Sequence, residues 1–382
     1  MKVYRQHIGK ASLCFLVVAT AFGAQTKKTP VEWYRSAGNV LTQEPKWYGS
    51  DEALRIADNV LLYQRSTGGW PANVDMTRNL TEEEKSRVRI AKSRQDSTLD
   101  NGATHTHLRY LARVYGATKQ ERFRQSFLKG LDYLLNAQYA NGGWPQTYPW
   151  LSGYHKYITF NDGAMIGAIT LLRDIDREKP PYAFVEDNRR TKARQAVHRG
   201  IECILKCQIV VEGPVKPGMI KPASGRRTAW CQQHDQMSFE PKPARAFEPA
   251  AITGCESVGV VQFLMSLDNP SPEIVEAIQS AIVWFDQVKI TGIRQVTKAN
   301  KSNESDVDNV IIKDETAPPI WARLYEIGTN RPIFGDHDGK VHYAMSEISR
   351  ERRTGYAWYG YWPAELLGKE YRLWQKRWAK TQ

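Results

Sequence analysis

Apolar residues recur along the chain at the three- and four-residue spacing of amphipathic helices, and one kind of helix ending recurs with them. Leu61-Leu62-Tyr63-Gln64 leads through three residues to Gly68-Gly69-Trp70-Pro71, and Leu134-Leu135-Asn136-Ala137-Gln138 leads through three to Gly142-Gly143-Trp144-Pro145. A glycine pair followed by proline stops a helix, because glycine accepts the left-handed turn at its end and proline cannot continue the bonding ladder. A weaker third copy runs from Cys203-Ile204-Leu205-Lys206-Cys207-Gln208 towards Gly213, and a fourth from Ala281-Ile282-Val283-Trp284-Phe285 to Gly292. The aligned glutamines 64, 138 and 208 stand 74 and 70 residues apart. That period holds two helices and their connections, so the pattern predicts stacked helical hairpins.

The partner helices repeat as regularly. Asp100-Asn101-Gly102-Ala103-Thr104 precedes the apolar run Leu108 to Tyr115, Asn161-Asp162-Gly163-Ala164-Met165 precedes Ile166 to Leu172, and Glu256-Ser257-Val258-Gly259 precedes Val260 to Leu267. Three hairpins, each with an outer and an inner helix, predict an all-α fold, an (α/α) toroid whose long loops form a cleft where the inner helices begin. Such a fold would bring Asp100 and Asp162 together. Two stretches break the pattern and are expected to be loops: residues 214 to 227, with three Pro and four basic residues, and the polar segment Thr297 to Asp308.

Charge and composition narrow the setting. Lys2, Arg5 and Lys10 precede an apolar stretch from Ala11 to Phe22 with small residues after it, the layout of a secretory signal. Residues 1–23 are therefore expected to be a leader and 24–382 a single domain, secreted or periplasmic. The chain carries 53 Lys+Arg against 41 Asp+Glu, a formal charge of +12; three basic and no acidic residues lie in the leader, which leaves +9 and points to an acidic partner. Twelve Trp and 18 Tyr suggest a sugar-binding cleft. An ordinary apolar fraction of 41%, with no apolar run of spanning length, excludes a disordered, collagenous or membrane-embedded chain. The four remaining cysteines lack zinc-site spacing, and the Gly-rich phosphate loop, the Gly-x-Ser-x-Gly elbow and HExxH are missing. The basic residues form no stripe of the kind that binds nucleic acid. A monomer is expected.

Asp100 and Asp162 are the leading candidates for chemistry. Each could simply cap a helix. As a pair they could share Ca²⁺, which takes hard oxygen ligands, or act as an acid and a base on a glycoside. Arg245 and Arg323 each stand among apolar and aromatic neighbours, where a guanidinium either pairs with a nearby carboxylate, Glu248 or Glu326, or clamps a substrate carboxylate. Trp230-Cys231-Gln232-Gln233-His234-Asp235 is a polar strip suited to a cleft wall, with Trp230, His234 and Asp235 as substrate contacts.

At these residues the chain becomes familiar. Thr98-Leu99-Asp100-Asn101-Gly102-Ala103-Thr104, Asn141-Gly142-Gly143-Trp144-Pro145-Gln146, Thr159-Phe160-Asn161-Asp162-Gly163-Ala164-Met165, Ala229-Trp230-Cys231-Gln232-Gln233-His234-Asp235, Ala244-Arg245-Ala246 and Ile320-Trp321-Ala322-Arg323 closely resemble the pectate lyase family 10 catalytic domain, over about residues 50 to 365. The resemblance implies an (α/α) toroid that cleaves de-esterified α-1,4-linked polygalacturonate, and its pectin oligosaccharides, by calcium-assisted β-elimination. It implies that Asp100 and Asp162 serve calcium-mediated substrate binding and that Arg245 and Arg323 contact galacturonate carboxylates. The family's base is an arginine in a Phe-x-x-Arg-Asp-Gly element after Asn-Arg-Pro. Here Asn330-Arg331-Pro332-Ile333-Phe334-Gly335-Asp336-His337-Asp338-Gly339 puts His337 at that place, so His337 and Arg323 are the expected catalytic residues. A neutral imidazole is already a base near pH 7, whereas an arginine with a pKa above ~12 must lose its proton in the site. The replacement also leaves open a non-catalytic polygalacturonate-binding protein, and the paired carboxylates leave open a glycoside hydrolase.

Overall fold

The computed structural model describes residues 33, 39–211, 225–300 and 303–378; the expected leader, and residues 214–224 of the first expected loop, lie outside them. Eight helices carry the fold: α1 (Asp51–Tyr63), α2 (Glu82–Ile90), α3 (His105–Thr118), α4 (Glu121–Asn136), α5 (Ala164–Asp176), α6 (Asp187–Cys207), α7 (Glu256–Met265) and α8 (Pro272–Gln287). α3 packs on α4, α5 on α6 and α7 on α8, while α3, α5 and α7 pack on one another in turn. These are the three expected hairpins, with α1 before them, and the architecture is the all-α toroid. Local chemistry starts the helices where the sequence places caps. Ser50 accepts the N–H of Ala53 at α1, Thr81 and Glu84 form a reciprocal capping box at α2, and Ser271 with Pro272 opens α8.

The repeat is held by two recurring hydrogen-bond sets. Each glutamine amide donates both to a carbonyl shortly before the repeat tryptophan and to the next outer helix: Gln64 to Gly68 and Ser126 at 2.7 and 2.9 Å, Gln138 to Gly142 and Ala196 at 2.9 and 2.8 Å, Gln208 to Thr228 and Ala277 at 3.0 and 2.9 Å. The glutamines thus staple α1 to α4, α4 to α6 and α6 to α8. Each tryptophan then returns its indole N–H to the end of the helix before it: Trp70 to Val60, Trp144 to Leu134 and Trp230 to Ile204. Gln208→Leu is expected to cost about 2–3 kcal/mol in urea unfolding, because two carbonyls around a buried side chain lose their donor together.

The fourth copy departs from expectation. Its tryptophan is Trp321, whose indole donates to the Phe285 carbonyl at 2.8 Å, and the 35 residues between are opened by an inserted hairpin, β1 (Ile293–Asn300) and β2 (Asn303–Lys313). The segment Thr297 to Asp308, expected as a loop, lies in that hairpin, with Thr297 opposite Asn309 and Lys298 opposite Asp308. Between Thr297 and Asp308 only Ala299 and Val307 are apolar, so no two-residue apolar pattern marks this part of the ribbon; backbone pairing holds the ladder there. The end of the first expected loop is also paired, Arg226 and Arg227 lying opposite Val211 and Val210. The cysteines Cys203, Cys207, Cys231 and Cys255 are free thiols.

Candidate active site

The same backbone register that closes each repeat gathers the polar residues. The carbonyls of Trp70, Trp144 and Trp230 accept the N–H of Thr98, Thr159 and Thr253 at 3.0, 3.0 and 2.8 Å. The next residue along, Leu99, Phe160 or Gly254, donates to the carbonyl of Gln146, Gln232 or Arg323, each two places beyond a repeat tryptophan. The side chains that follow the threonines, Asp100, Asp162 and Glu256, therefore stand beside Gln146, Gln232 and Arg323. One repeated stitch places six functional groups.

Asp100 and Asp162 sit in tight turns, Asp100–Gly102 and Asn161–Gly163, that pack against each other. They are not helix caps, because α3 is capped at Thr104, whose N–H is accepted by His107 Nδ1 at 3.1 Å, and α5 is preceded by Gly163. The turns force Asn101 and Asp162 into the left-handed region, φ 49° at both, which Asn and Asp tolerate best among side-chain-bearing residues. An adjacent asparagine amide holds one oxygen of each carboxylate: Asn101 donates to Asp100 Oδ2 at 3.2 Å and Asn161 to Asp162 Oδ2 at 2.7 Å. Asp100 Oδ1 is buried with no protein partner. Burial pushes the Asp100 pKa up against the pull of Gln146 and Arg245, and burial followed by the nearby Asp100 charge pushes Asp162 up to about 6. Two desolvated carboxylates with an orphaned oxygen are a site for a hard cation. Among the described residues no cluster of three or more His, Cys, Asp or Glu side chains stands ready to hold a metal, so these two would need ligands from a bound acidic molecule to complete a shell.

Two guanidiniums face the pair. Arg323 ion-pairs with Glu256, lies 3.7 Å from Asp162 and stacks 4.6 Å above the Tyr356 ring. Its partner is Glu256 rather than the expected Glu326, which is bonded instead by Thr329 and Tyr343. Arg245 does pair with Glu248, through Nε at 2.7 Å and Nη2 at 2.5 Å. Burial is the largest single influence at Arg323 and opposes its charge, but Glu256, Tyr356 and Asp162 together with Cys255 more than offset it, and the Glu248 bonds outweigh burial at Arg245, so both pKa values are raised. A buried chain joins the two pairs: Tyr356 donates to Glu248 Oε1 at 3.0 Å, and Gln232 Nε2 lies 3.1 Å from Tyr356 Oη and 3.1 Å from Glu256 Oε1. Exposure separates the two arginines. Arg323 is 11% exposed and Arg245 45%, and Nη1 of Arg245 makes no hydrogen bond to the protein among the described residues.

Several expected site residues lie elsewhere. Trp230 is fully buried core, its indole committed to Ile204. His234 is buried with both nitrogens used, Nε2 accepting from Cys231 and Nδ1 donating to Phe239, and burial lowers its pKa to about 4. Asp235 caps the turn at Met237 and Ser238. These three shape the strip, and no contact among the described residues joins them to Asp100 or Asp162. Trp70, Trp144, Trp284 and Trp358 are likewise core, so most of the tryptophan surplus holds the toroid together. His337 stands outside the group as well: it is 66% exposed, bonded through Nε2 to Glu351 at 2.8 Å, and its ring meets Phe247 edge-on at 6.4 Å, with Arg245 over the same Phe247 at 4.6 Å. No contact among the described residues joins it to Asp100 or Asp162. Sequence reasoning passed over Tyr356 and the role of Glu256, although Glu256 opens the third inner helix just as the two aspartates precede the first two.

Comparison with known proteins agrees with this fold. The family described as pectic acid lyase matches residues 64–367. Family 10 polysaccharide lyase from Cellvibrio cellulosa is 31% identical, with 87% of this chain and 94% of that one covered at a TM-score of 0.69. A point mutant of the Cellvibrio cellulosa family 10 polysaccharide lyase in complex with trigalacturonic acid is also 31% identical, with 88% and 97% covered at a TM-score of 0.72. No curated protein sequence matches the chain.

Proposed function

The chain is a pectate lyase belonging to the pectic acid lyase family, and from that premise we propose that it cleaves de-esterified polygalacturonate by β-elimination, with Ca²⁺ shared between Asp100, Asp162 and the substrate. The observation that carries this is the pair of neighbouring carboxylates, Asp100 half-buried with an unpartnered Oδ1 and Asp162 partly open to solvent, flanked by two guanidiniums that each have a carboxylate of their own. A neutral polysaccharide needs no such set; an acidic polymer does. The trigalacturonic acid bound by the Cellvibrio relative supports the same substrate class.

β-Elimination removes the C5 proton, which is α to the uronate carboxylate, forms the C4=C5 double bond and breaks the C4–O bond, the departing oxygen taking a proton from water. Bound Ca²⁺ would neutralise the uronate carboxylate and so acidify C5. Arg323, pinned by Glu256, keeps its charge and binds a substrate carboxylate bidentately. Arg245 approaches from the open side, its plane fixed by Glu248 and its Nη1 free, and is the basic group placed to take the C5 proton. Glu248 keeps it protonated in the empty protein. Before it can accept the C5 proton it must release its own to solvent, which neighbouring positive charge from Arg323, from a bound metal and from Arg352, over the same Phe247 ring at 4.3 Å, would favour.

A second assignment of the base rests on one observation: Glu351 accepts from His337 Nε2, and no hydrogen bond among the described residues engages Nδ1. Secretion or a periplasmic location, through the leader 1–23, and a monomeric state belong to the same proposal. Among the described residues no helix is long and apolar enough to cross a membrane. Incubation with polygalacturonate is expected to raise ultraviolet absorbance through the conjugated product, to stop with chelator and to resume with Ca²⁺. New reducing ends without a chromophore would mean hydrolysis by Asp100 and Asp162, and calcium-dependent binding without cleavage would mean a binding protein.

A further inference from the structure

We propose that Trp150 forms an outer subsite, a stacking platform for a galacturonate residue further along the chain that enters the Asp100–Asp162 site; this rests on the substrate class proposed above. Of the twelve tryptophans Trp150 is the most exposed, at 49%, where the repeat tryptophans are buried. Leaving half an indole in water forgoes apolar burial that every other tryptophan of the fold obtains more fully.

Its position is fixed by the frame that fixes Asp100. Thr147 Oγ1 donates to the Trp150 carbonyl at 2.5 Å, Thr147 bridges Thr98, and Tyr148 donates its N–H to Ser97 at 3.2 Å. A row of rings then leads inward. Trp150 lies 5.3 Å from His155, and His155 lies 4.2 Å from Tyr154. His155 Nδ1 bonds Gln146 Oε1 at 3.0 Å, and the Gln146 carbonyl accepts the N–H of Leu99, the residue before Asp100, at 2.9 Å, so that the Asp100 charge acts on both His155 and Tyr154. The platform therefore stands at the outer end of a wall whose inner end borders the carboxylates.

The chemistry of the occupant fits an indole. With O4 axial, galacturonate gathers the C–H bonds of C3, C4 and C5 on one face, which packs on an aromatic ring while the carboxylate stays in water. Stacking of this kind is worth about one factor of ten in affinity.

Trp150→Ala is expected to raise KM about 10-fold on polygalacturonate with kcat within about twofold, to leave KM on trigalacturonate nearly unchanged, and to leave Tm unchanged; Trp150→Tyr should restore most of the loss. Equal effects on trimer and polymer, or none on either, would overturn the subsite. Acrylamide quenching reads the same contact without turnover. Polygalacturonate should shield the quenchable tryptophan of the wild type, and Trp150→Phe should lose that shielded component. Cleavage without shielding sinks the platform alone; shielding without cleavage leaves the platform standing and sinks the lyase chemistry.

Discussion

Arg245→Ala is expected to lower kcat on polygalacturonate about 10³-fold, the scale of a lost general base, while His337→Ala lowers it less than about 10-fold. The distinction follows from placement. Arg245 acts on both Asp100 and Asp162 and has a free Nη1, whereas His337 is an exposed residue at the edge of the Phe247 ring, with no contact to either carboxylate among the described residues. Because Glu248 is only 2% exposed, removing Arg245 alone strands a buried carboxylate. The comparison is therefore made in Arg245→Ala/Glu248→Gln, with Glu248→Gln as its control, and with ultraviolet product formation as the measurement. Arg323→Ala would be less informative, since Arg323 answers Glu256 inside the protein and its loss threatens the fold as much as the chemistry. If His337→Ala falls with Arg245 intact, the base is the imidazole and the register of the Asn330–Gly339 element outweighs its distance from the carboxylates.

Acidification is expected to weaken the fold by several kcal/mol between pH 7 and pH 5. Burial keeps His107 and His234 neutral, with pKa values lowered from 6.5 to about 3 and about 4, and burial and then Arg109 lower His105 in the same direction. The unfolded chain takes up protons on these rings from about pH 6.5 downward while the folded protein does not, so the unfolded state binds more protons and stability falls with pH. At pH 5 the loss is about 2 kcal/mol for each of His107 and His234, and His105 adds to it. Asp162 runs the other way. Its folded pKa of about 6 lies above the ordinary 3.8, so the metal-free folded state protonates first and regains part of that loss, a part reduced by solvent screening because the side chain is 35% exposed. The geometry agrees with the sign, since His107 Nδ1 and His234 Nε2 both accept backbone N–H bonds that a proton would break. Urea midpoints measured with chelator at pH 7 and pH 5 test this; a midpoint that does not move refutes buried neutral imidazoles.

Much of the site was legible because it repeats. The Gly-Gly-Trp-Pro endings, the spaced glutamines and the acidic residues ahead of each inner helix are local signals, each read within about ten residues, and their recurrence places Asp100 with Asp162. What could not be read is which partner each polar group meets. Glu326 stands three residues from Arg323 and Glu256 stands 67 away, yet the second holds it, because Gly254 pairs with the Arg323 carbonyl across the repeat. Trp230 and His234 look like cleft residues in a polar strip, but the strip pairs with Ile158 and Thr159 and turns those two side chains into the core.

The sequence by itself determined the helical hairpins, the family and the acidic-sugar substrate class, since these rest on periodicity, stop signals and short motifs that act over one or two turns. Tertiary structure alone decided which basic residue faces the carboxylates, which tryptophan remains open to solvent and which carboxylates hold the arginines. Those outcomes depend on backbone pairing between segments tens of residues apart, where a shift of one residue reverses the face a side chain presents.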